Sequence, residues 1–548
     1  MIRFAALLDA LTFTPSRNGK LRLMVDYFRE TPDPERGWAL AALTGELSFH
    51  AAKASQIRAL VLERVDAELF GWSYDFVGDL AETAALIWPV RPIERDGQTG
   101  SGDGQPLAPI PPLVAPVPTL VEIVEGLSAA HRGNVGALLE RWMDALDASG
   151  RWALLKLMTG GLRVGVSARL AKTAAAAFGG VEPDEIEEVW HGLAPPYESL
   201  FAWLSGRTER PHPGERPRFL PMMLATPLEE QDLPGLDPAS YFAEWKWDGI
   251  RVQLSARGGE TRLYSRTGDD IGPAFPDVIA AMPPDVVLDG ELLVGTPASP
   301  DLPEGRLGAF NDLQQRLNRK KPGPKLVADS PGFIRVYDLL WLAGEDLRAC
   351  SQAERRGRLE TWFAAAARPR LDLSPLIVFE HWDDLAALRA GARAAGIEGL
   401  MLKRRDTPYL AGRPKGPWFK WKRGALTLDT VLMYAQRGHG KRSSFYSDYT
   451  FGAWMGETLV PVGKAYSGFT DEELVRLDRW IRHHTTRRYG PVREVTPELV
   501  LEVAFDSVHR SVRHKSGVAM RFPRVHRIRW DKPAGEADRL ETLEHLIT

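Results

Sequence analysis

Residues 1–90 place apolar side chains three and four apart, as in Ala5, Leu7, Leu8 and Leu11, which is the spacing of one helix face. The turn signal Pro15-Ser16-Arg17-Asn18-Gly19 interrupts that pattern and predicts helical hairpins. The same period returns at Leu138, Leu139, Trp142, Met143 and Leu146, and again through 167–178. Between these stretches, at about 91–118, a Gly/Ser/Asp run followed by a Pro-rich run has the composition of a connector, flexible and then extended. Residues 1–215 are therefore expected to form one all-α domain interrupted by the connector.

From about 216 the period shortens. Alternating segments at 251–254, 286–288 and 333–340, divided by Gly, Pro and Asp clusters, predict short strands mixed with a few helices, an α+β domain over 216–424. After Leu426 the predicted strands are shorter still, at 430–434, 449–454, 459–462 and 500–505, with one helix near 471–484. That grammar predicts a small closed barrel, an OB-fold over 425–548.

Composition sharpens the picture in a few places. At 548 residues the chain exceeds what one hydrophobic core serves, and 44% hydrophobic with 26% charged residues is the balance of a globular protein rather than a disordered or membrane one. No run approaches the roughly 18 apolar residues of a membrane span, and the start MIRFAALLDALTFTPSRNG lacks a small-residue cleavage site. A cytoplasmic monomer with no membrane partner is expected, associated with the nucleoid if the source is prokaryotic. Cys350 is the only cysteine, which excludes an intramolecular disulfide and a zinc site built from several thiolates. Lys plus Arg (69) nearly balances Asp plus Glu (72), so a nucleic-acid partner has to be met by a local field. One such field lies at 507–532, where Arg510, Arg513, Lys515, Arg521, Arg524, Arg527, Arg529 and Lys532 face only Asp531.

The chemistry gathers at Glu244-Trp-Lys246-Trp-Asp248-Gly249-Ile-Arg251. A lysine amine is a nucleophile only when unprotonated, and a partly buried site ringed by further cations, here Arg251, Lys420 and Lys422, favours the neutral form. Taken alone, Lys246 can equally be a surface lysine beside a turn.

The pattern Lys246-x-Asp248-Gly249-x-Arg251 resembles the first motif of the covalent nucleotidyltransferases, the DNA ligases, RNA ligases and capping enzymes. Five more elements follow in the family's order. They are Ser265-Arg266-Thr-Gly268-Asp269, Leu288-Asp289-Gly290-Glu291-Leu292, Val336-Tyr337-Asp338-Leu339-Leu340, Glu398-Gly399-Leu-Met-Leu-Lys403 and Trp418-Phe-Lys420-Trp-Lys422. The resemblance implies a lysyl-AMP intermediate on Lys246, with Arg251 and Arg266 on the ribose and phosphate side. It also implies Arg413 and Lys420 on the phosphates, Lys422 by the α-phosphate, and Tyr337 stacked on adenine where relatives often carry phenylalanine. Glu244 is implied to accept from the adenine amino group, which favours ATP over GTP, and Glu291 and Glu398 to hold Mg²⁺, with Mn²⁺ an alternative.

At the far end, Arg521-Phe-Pro-Arg524-Val-His-Arg527-Ile-Arg529-Trp-Asp531-Lys532 resembles the family's terminal motif. In relatives that segment swings over the pyrophosphate, so Arg529, Asp531 and Lys532 are implied to position it, with a hinge at 423–428. Ser16-Arg-Asn-Gly19-Lys20-Leu-Arg22 and Leu157-Met-Thr-Gly160-Gly161-Leu162-Arg163-Val-Gly165 resemble the DNA-binding domain of the large ATP-dependent ligases. They imply a sequence-tolerant grip on the DNA backbone by Lys20, Gly161, Arg163 and Gly165. The reaction implied is ATP-dependent sealing of nicks in duplex DNA. Two rivals stay open at this point: an RNA ligase or capping enzyme, and a nick-binding protein without catalysis.

Overall fold

The computed structural model describes residues 1–89 and 116–548, apart from 213, 215, 283, 300, 301, 303, 304, 320, 366–368, 393–396, 439–445, 467, 512, 513 and 548. The predicted connector lies outside the described residues except at 116–118, as does Arg513. Backbone packing divides the chain into two compact units. One joins Met1–Ala175, Pro195–Glu198 and Ala425–Thr548, and the other joins Ala176–Ala194 and Ser199–Gly424.

The chain is helical through Leu204 wherever it is described. Helix α1 (Ile2–Phe13) buries Phe4, Leu7, Leu8 and Leu11, and α2 (Arg17–Glu30) follows after a tight turn. That turn is shorter than the predicted one. Ser16 Oγ accepts the Gly19 amide at 3.3 Å and caps α2, so Arg17, Asn18 and Gly19 already belong to the helix. A serine cap satisfies an otherwise orphaned amide of the first turn, which outweighs the turn preference of Asn-Gly. Helix α3 (Ala148–Thr159) is buried along most of its length and ends at Gly160 in the left-handed conformation. Among the described residues no helix is long and apolar enough to cross a membrane.

In the second unit the strands that carry the site are β1 (Tyr241–Lys246), β2 (Ile250–Arg257), β3 (Glu260–Ser265), β4 (Val286–Thr296), β5 (Gly332–Leu342), β6 (Gly399–Arg404) and β7 (Trp418–Lys422). β7, β6 and β1 are neighbours in one sheet, and β3, β2, β4 and β5 run in that order in another. The three predicted segments fall inside β2, β4 and β5, and the observed strands are longer. Pairing continues through Asp289 and Asp338, polar positions that break the apolar alternation, with register shifts at 287/288 and 289/290 where β4 meets β5.

The two-residue side-chain period then separates the faces. In the first sheet Ala243, Leu400, Leu402, Phe419 and Trp421 pack into a core, while Glu244, Lys246, Met401, Lys403, Trp418, Lys420 and Lys422 line a cleft. In the second, Val252, Leu254, Leu288, Leu292, Ile334 and Val336 pack into another core, and Arg251, Glu291 and Tyr337 line that same cleft. Polar residues of the right parity on both sheets are thus delivered to one place.

The C-terminal part is strand-rich. β8 (Leu426–Arg437) pairs with β9 (Tyr446–Met455) and β11 (Val500–Phe505); β9 pairs with β10 (Thr458–Ala465) and β11 with β12 (Arg524–Arg529). Helix α4 (Asp471–His483) packs Leu477 and Ile481 into a core with Leu432, Phe451, Val462, Leu501, Phe505 and Val525. These elements share a compact unit with the N-terminal helices, where the Arg437 guanidinium lies 5.7 Å from the centre of the Phe76 ring.

Candidate active site

Lys246 ends β1, and the chain turns through Trp247, Asp248 and Gly249 into β2. Gly249 is held so close to β4 that a Cβ there would meet the Leu292 carbonyl oxygen at 2.5 Å and Glu291 Cγ at 2.8 Å. The missing side chain lets the turn behind Lys246 rest on the strand that carries Glu291. A Gly249→Ala variant is expected to lose about 1–3 kcal/mol of stability and to adenylate poorly, read from its urea midpoint and from labelling with ATP. An unchanged midpoint with full labelling would show that this close approach is not needed.

A cavity of about 460 Å³ opens between the polar faces. Glu244, Lys246, Arg251, Arg266, Glu291, Tyr337, Glu398, Arg413, Lys420 and Lys422 all line it, although they span nearly 180 residues of sequence. Cross-strand register explains the crowding at one end, since Gly399 on β6 faces Lys246 on one side and Lys422 on the other. Glu398, just before Gly399, receives both cations on Oε2, with Lys246 Nζ at 2.5 Å and Lys422 Nζ at 3.1 Å.

The electrostatics follow from that geometry. Burial works to raise the Glu398 carboxyl, but Lys246 and then Lys422 outweigh it and hold the group at about 2. Burial dominates at Glu291, whose carboxyl is pushed up to about 8 despite Lys246 and Arg251, with Glu398 and Asp248 adding like charge. Burial, then Arg413, Lys422, Lys246 and Arg266, push the Lys420 ammonium down. A crowd of cations is therefore present, but it presses on Lys420, while the nearest partner of Lys246 is a carboxylate.

Arg251 sits differently from the expectation of a free hand on the nucleotide. Its Nε and Nη2 donate to Asp289 at 3.0 and 2.6 Å, Nη1 donates to the Met223 carbonyl at 2.7 Å, and Nη2 lies 3.2 Å from the Tyr409 hydroxyl. Tyr409 in turn donates to Asp289 Oδ2 at 2.6 Å. Asp289 is fully buried, and only one Nη1 hydrogen of Arg251 is left for a ligand. At the other end, Lys403 Nζ donates to Glu244 Oε1 at 2.8 Å and lies 4.1 Å from the centre of the Tyr337 ring. Asp289, Lys403 and Tyr409 carry no role that the sequence alone implies. Asp289 and Lys403 share a strand face with motif residues, a parity signal that was legible; nothing local marks Tyr409.

Among the described residues no group of three or more His, Cys, Asp or Glu could hold a metal ion. Glu291 with Glu398 fits a cation that takes one or two carboxylates and completes its shell with substrate phosphates and water, which is the habit of Mg²⁺. A buried carboxyl raised to about 8 is also a group whose charge awaits a counter-ion.

The remaining sequence candidates belong to the other unit. Arg529 pairs with Asp531 at 2.9 Å, and both Arg529 Nη1 (3.4 Å) and Lys532 Nζ (2.7 Å) reach Asp429 Oδ2 on β8. Gly161 and the exposed Arg163 and Gly165 follow α3. Lys20 departs from the expectation of a surface charge. It is 8% exposed, and its ammonium is directed at the Val164 and Gly165 carbonyls, so it is no surface charge for a phosphate.

Known proteins share the sequence pattern of this chain. The family model of the ATP dependent DNA ligase domain matches residues 222–422, and that of the ATP dependent DNA ligase C terminal region matches 442–532. The chain belongs to the ATP-dependent DNA ligase family. It is 32% identical to the "Probable DNA ligase" of Koribacter versatilis (strain Ellin345), over 98% of this chain and 95% of that one. It is 30% identical to "DNA ligase 1" of Korarchaeum cryptofilum (strain OPF8), over 99% of this chain and 97% of that one. The solved structure "Pmar-Lig_PreS3" superposes with a TM-score of 0.57 at 15% identity, covering 96% of this chain and 99% of that one, a likeness of fold. This ligase thus has an N-terminal helical region, a nucleotidyltransferase domain and a C-terminal OB-like domain, the predicted fold class. ATP and DNA are its substrates by family, and the RNA-ligase, capping and non-catalytic readings are not favoured.

Proposed function

We propose that this ligase seals nicks in duplex DNA by three successive transfers that begin at Lys246. Lys246 Nζ gives up its ammonium proton to solvent, attacks the α-phosphorus of ATP and sheds a second proton as the P–N bond forms, while the bond to the β-phosphate breaks and pyrophosphate leaves. A 5′-phosphate oxygen at the nick next displaces Lys246, carrying AMP to the DNA. The 3′-hydroxyl then attacks the 5′-phosphorus, loses its proton and expels AMP, leaving a phosphodiester. The observation that carries this reading is Lys246 in a cleft with Glu291, Glu398, Lys420 and Lys422. Charge in such a transfer spreads over phosphate oxygens, so positioned cations do most of the catalysis.

In this reading Arg266, Arg413, Lys420 and Lys422 bind the triphosphate, and Tyr337 packs against the adenine whose amino group meets Glu244. Arg251 shapes the floor while clasped by Asp289. Glu291 and Glu398 would hold Mg²⁺, which when bound neutralises phosphate charge. Glu398 also keeps Lys246 aimed before ATP arrives. Residues 1–215 act as the DNA-binding part, 216–424 as the adenylation part and 425–548 as the OB part, hinged at 423–428, with Arg529, Asp531 and Lys532 positioning pyrophosphate. The protein acts as a cytoplasmic monomer.

Incubation with α-labelled ATP or GTP, with NAD, and without cofactor, on nicked DNA and nicked RNA, tests the reading. Labelling by ATP alone and sealing of nicked DNA are expected; a GTP adduct overturns it.

Glu291 supplies a second measurement. A glutamate in the unfolded chain loses its proton near pH ~4.3, whereas folded Glu291 keeps it to about 8. The folded state binds more protons across that window, so the Glu291 contribution to stability is full below the lower value and is lost as pH rises through the upper one. A divalent cation reverses the preference. At pH 7, Mg²⁺ binding is expected to release about one proton from the wild type and none from Glu291→Gln, read by calorimetry in buffers of different ionisation enthalpy. Equal release from both would remove Glu291 from the metal site.

A further inference from the structure

The buried Lys20 has a more specific task than adding charge. α2 presents its Nζ to the segment following α3, where it donates to the Val164 carbonyl at 2.7 Å and the Gly165 carbonyl at 3.0 Å. In a trans peptide the carbonyl and the next N–H point in opposite directions. Drawing the 164 and 165 carbonyls inward therefore turns the Gly165 and Val166 amides away from Lys20. Among the described residues no backbone acceptor takes either amide.

The same turn is conformationally costly. Gly165 has φ +67°, and Arg163 adopts φ +51°, a left-handed conformation that costs a non-glycine residue about 1–2 kcal/mol. A Cβ on Gly165 would stand 2.3 Å from Lys20 Nζ, so glycine is needed both for its φ and for the lysine's approach. An unusual backbone is thus held by a buried cation, and what it displays is two open amides beside the exposed Arg163. Outward-facing amides on a turn that also carries an exposed guanidinium are donors of the kind that DNA phosphate oxygens accept from.

We infer that Lys20 is a positioning residue that never touches DNA but holds the 160–166 turn so that the Gly165 and Val166 amides and Arg163 are presented outward to the phosphodiester backbone. This rests on the reading that the helical region binds the DNA backbone, and it assigns Lys20 a part opposite to that of a surface lysine.

Binding of the full-length protein to a fluorescent nicked duplex, over a salt series with EDTA present, separates the two parts. Arg163→Ala is expected to weaken binding about tenfold and to reduce the salt slope by about one. Lys20→Met is expected to weaken binding at least as much, although the lysine is buried. The Lys20→Met/Arg163→Ala double variant is expected to bind no worse than Lys20→Met alone, because both act through one turn. Gly165→Ala keeps the lysine's charge but displaces its Nζ and is expected to match Lys20→Met, which keeps the test valid should Lys20→Met not fold. DNA-independent labelling of Lys246 by ATP in the presence of Mg²⁺ is expected to be unchanged in all of them. Losses that simply multiply in the double variant, or wild-type binding by both Lys20→Met and Gly165→Ala, overturn the proposal. An Arg163→Ala variant with wild-type binding and salt slope overturns instead the reading that this region grips DNA.

Discussion

Lys246→Ala is expected to lose all detectable transfer of AMP from ATP to the protein and to slow nick sealing with ATP by about 10⁴-fold or more, the scale on which removing a covalent nucleophile is felt. The cleft holds other nucleophilic amines, Lys420 and Lys422, and burial with neighbouring cations favours a neutral Lys420. Lys246 is distinguished by position: it ends β1 at the mouth of the turn to β2, with its Nζ held 2.5 Å from Glu398. The same variant is expected to close a nick that already carries AMP on its 5′-phosphate, because the last transfer makes and breaks no bond to Lys246. Gel assays with labelled ATP and with pre-adenylated DNA read the two outcomes separately. An adduct on the alanine variant would move the nucleophile to another lysine.

The largest effect on stability is expected at Asp289→Asn. Asp289 is fully buried and takes two donors from Arg251 and one from Tyr409. The amide removes the only anion in direct contact with Arg251 among the described residues and leaves the guanidinium charge in the interior; breaking a buried pair in this way costs about 3–5 kcal/mol. Tyr409→Phe removes the hydrogen bond to Asp289 and the longer one from Arg251 while leaving the ion pair, and is expected to cost about 1–2 kcal/mol. The two urea midpoints should therefore separate clearly. Equal small losses would mean that the pair gains little beyond its own desolvation.

Much of the cleft was legible because strand parity and nucleotide chemistry select the same positions. Glu244 with Lys246, and Lys420 with Lys422, are two apart, so one face of a pleated sheet carries both members of each pair. What the sequence could not show is which cation meets which anion. Glu398 reads as a metal ligand and Arg251 as a nucleotide ligand, yet one is in contact with Lys246 and the other with Asp289. Those choices depend on cross-strand register over long stretches of chain, which local spacing does not encode. Lys20 failed for the same reason: its partners lie about 145 positions away, and burial by another helix reverses the exposure that a lysine after a turn suggests. The predicted turn at 15–19 failed locally, because a serine cap and a turn signal share the same letters.

Asp429 sits at the start of the barrel with Arg529 and Lys532 both leaning on one of its oxygens. Any polyanion that recruits those two side chains must therefore compete with a resident carboxylate. The three residues of the proposed pyrophosphate site therefore start out neutralised from within the barrel, and what a phosphate gains there is the difference between two sets of ion pairs rather than the whole of a new one.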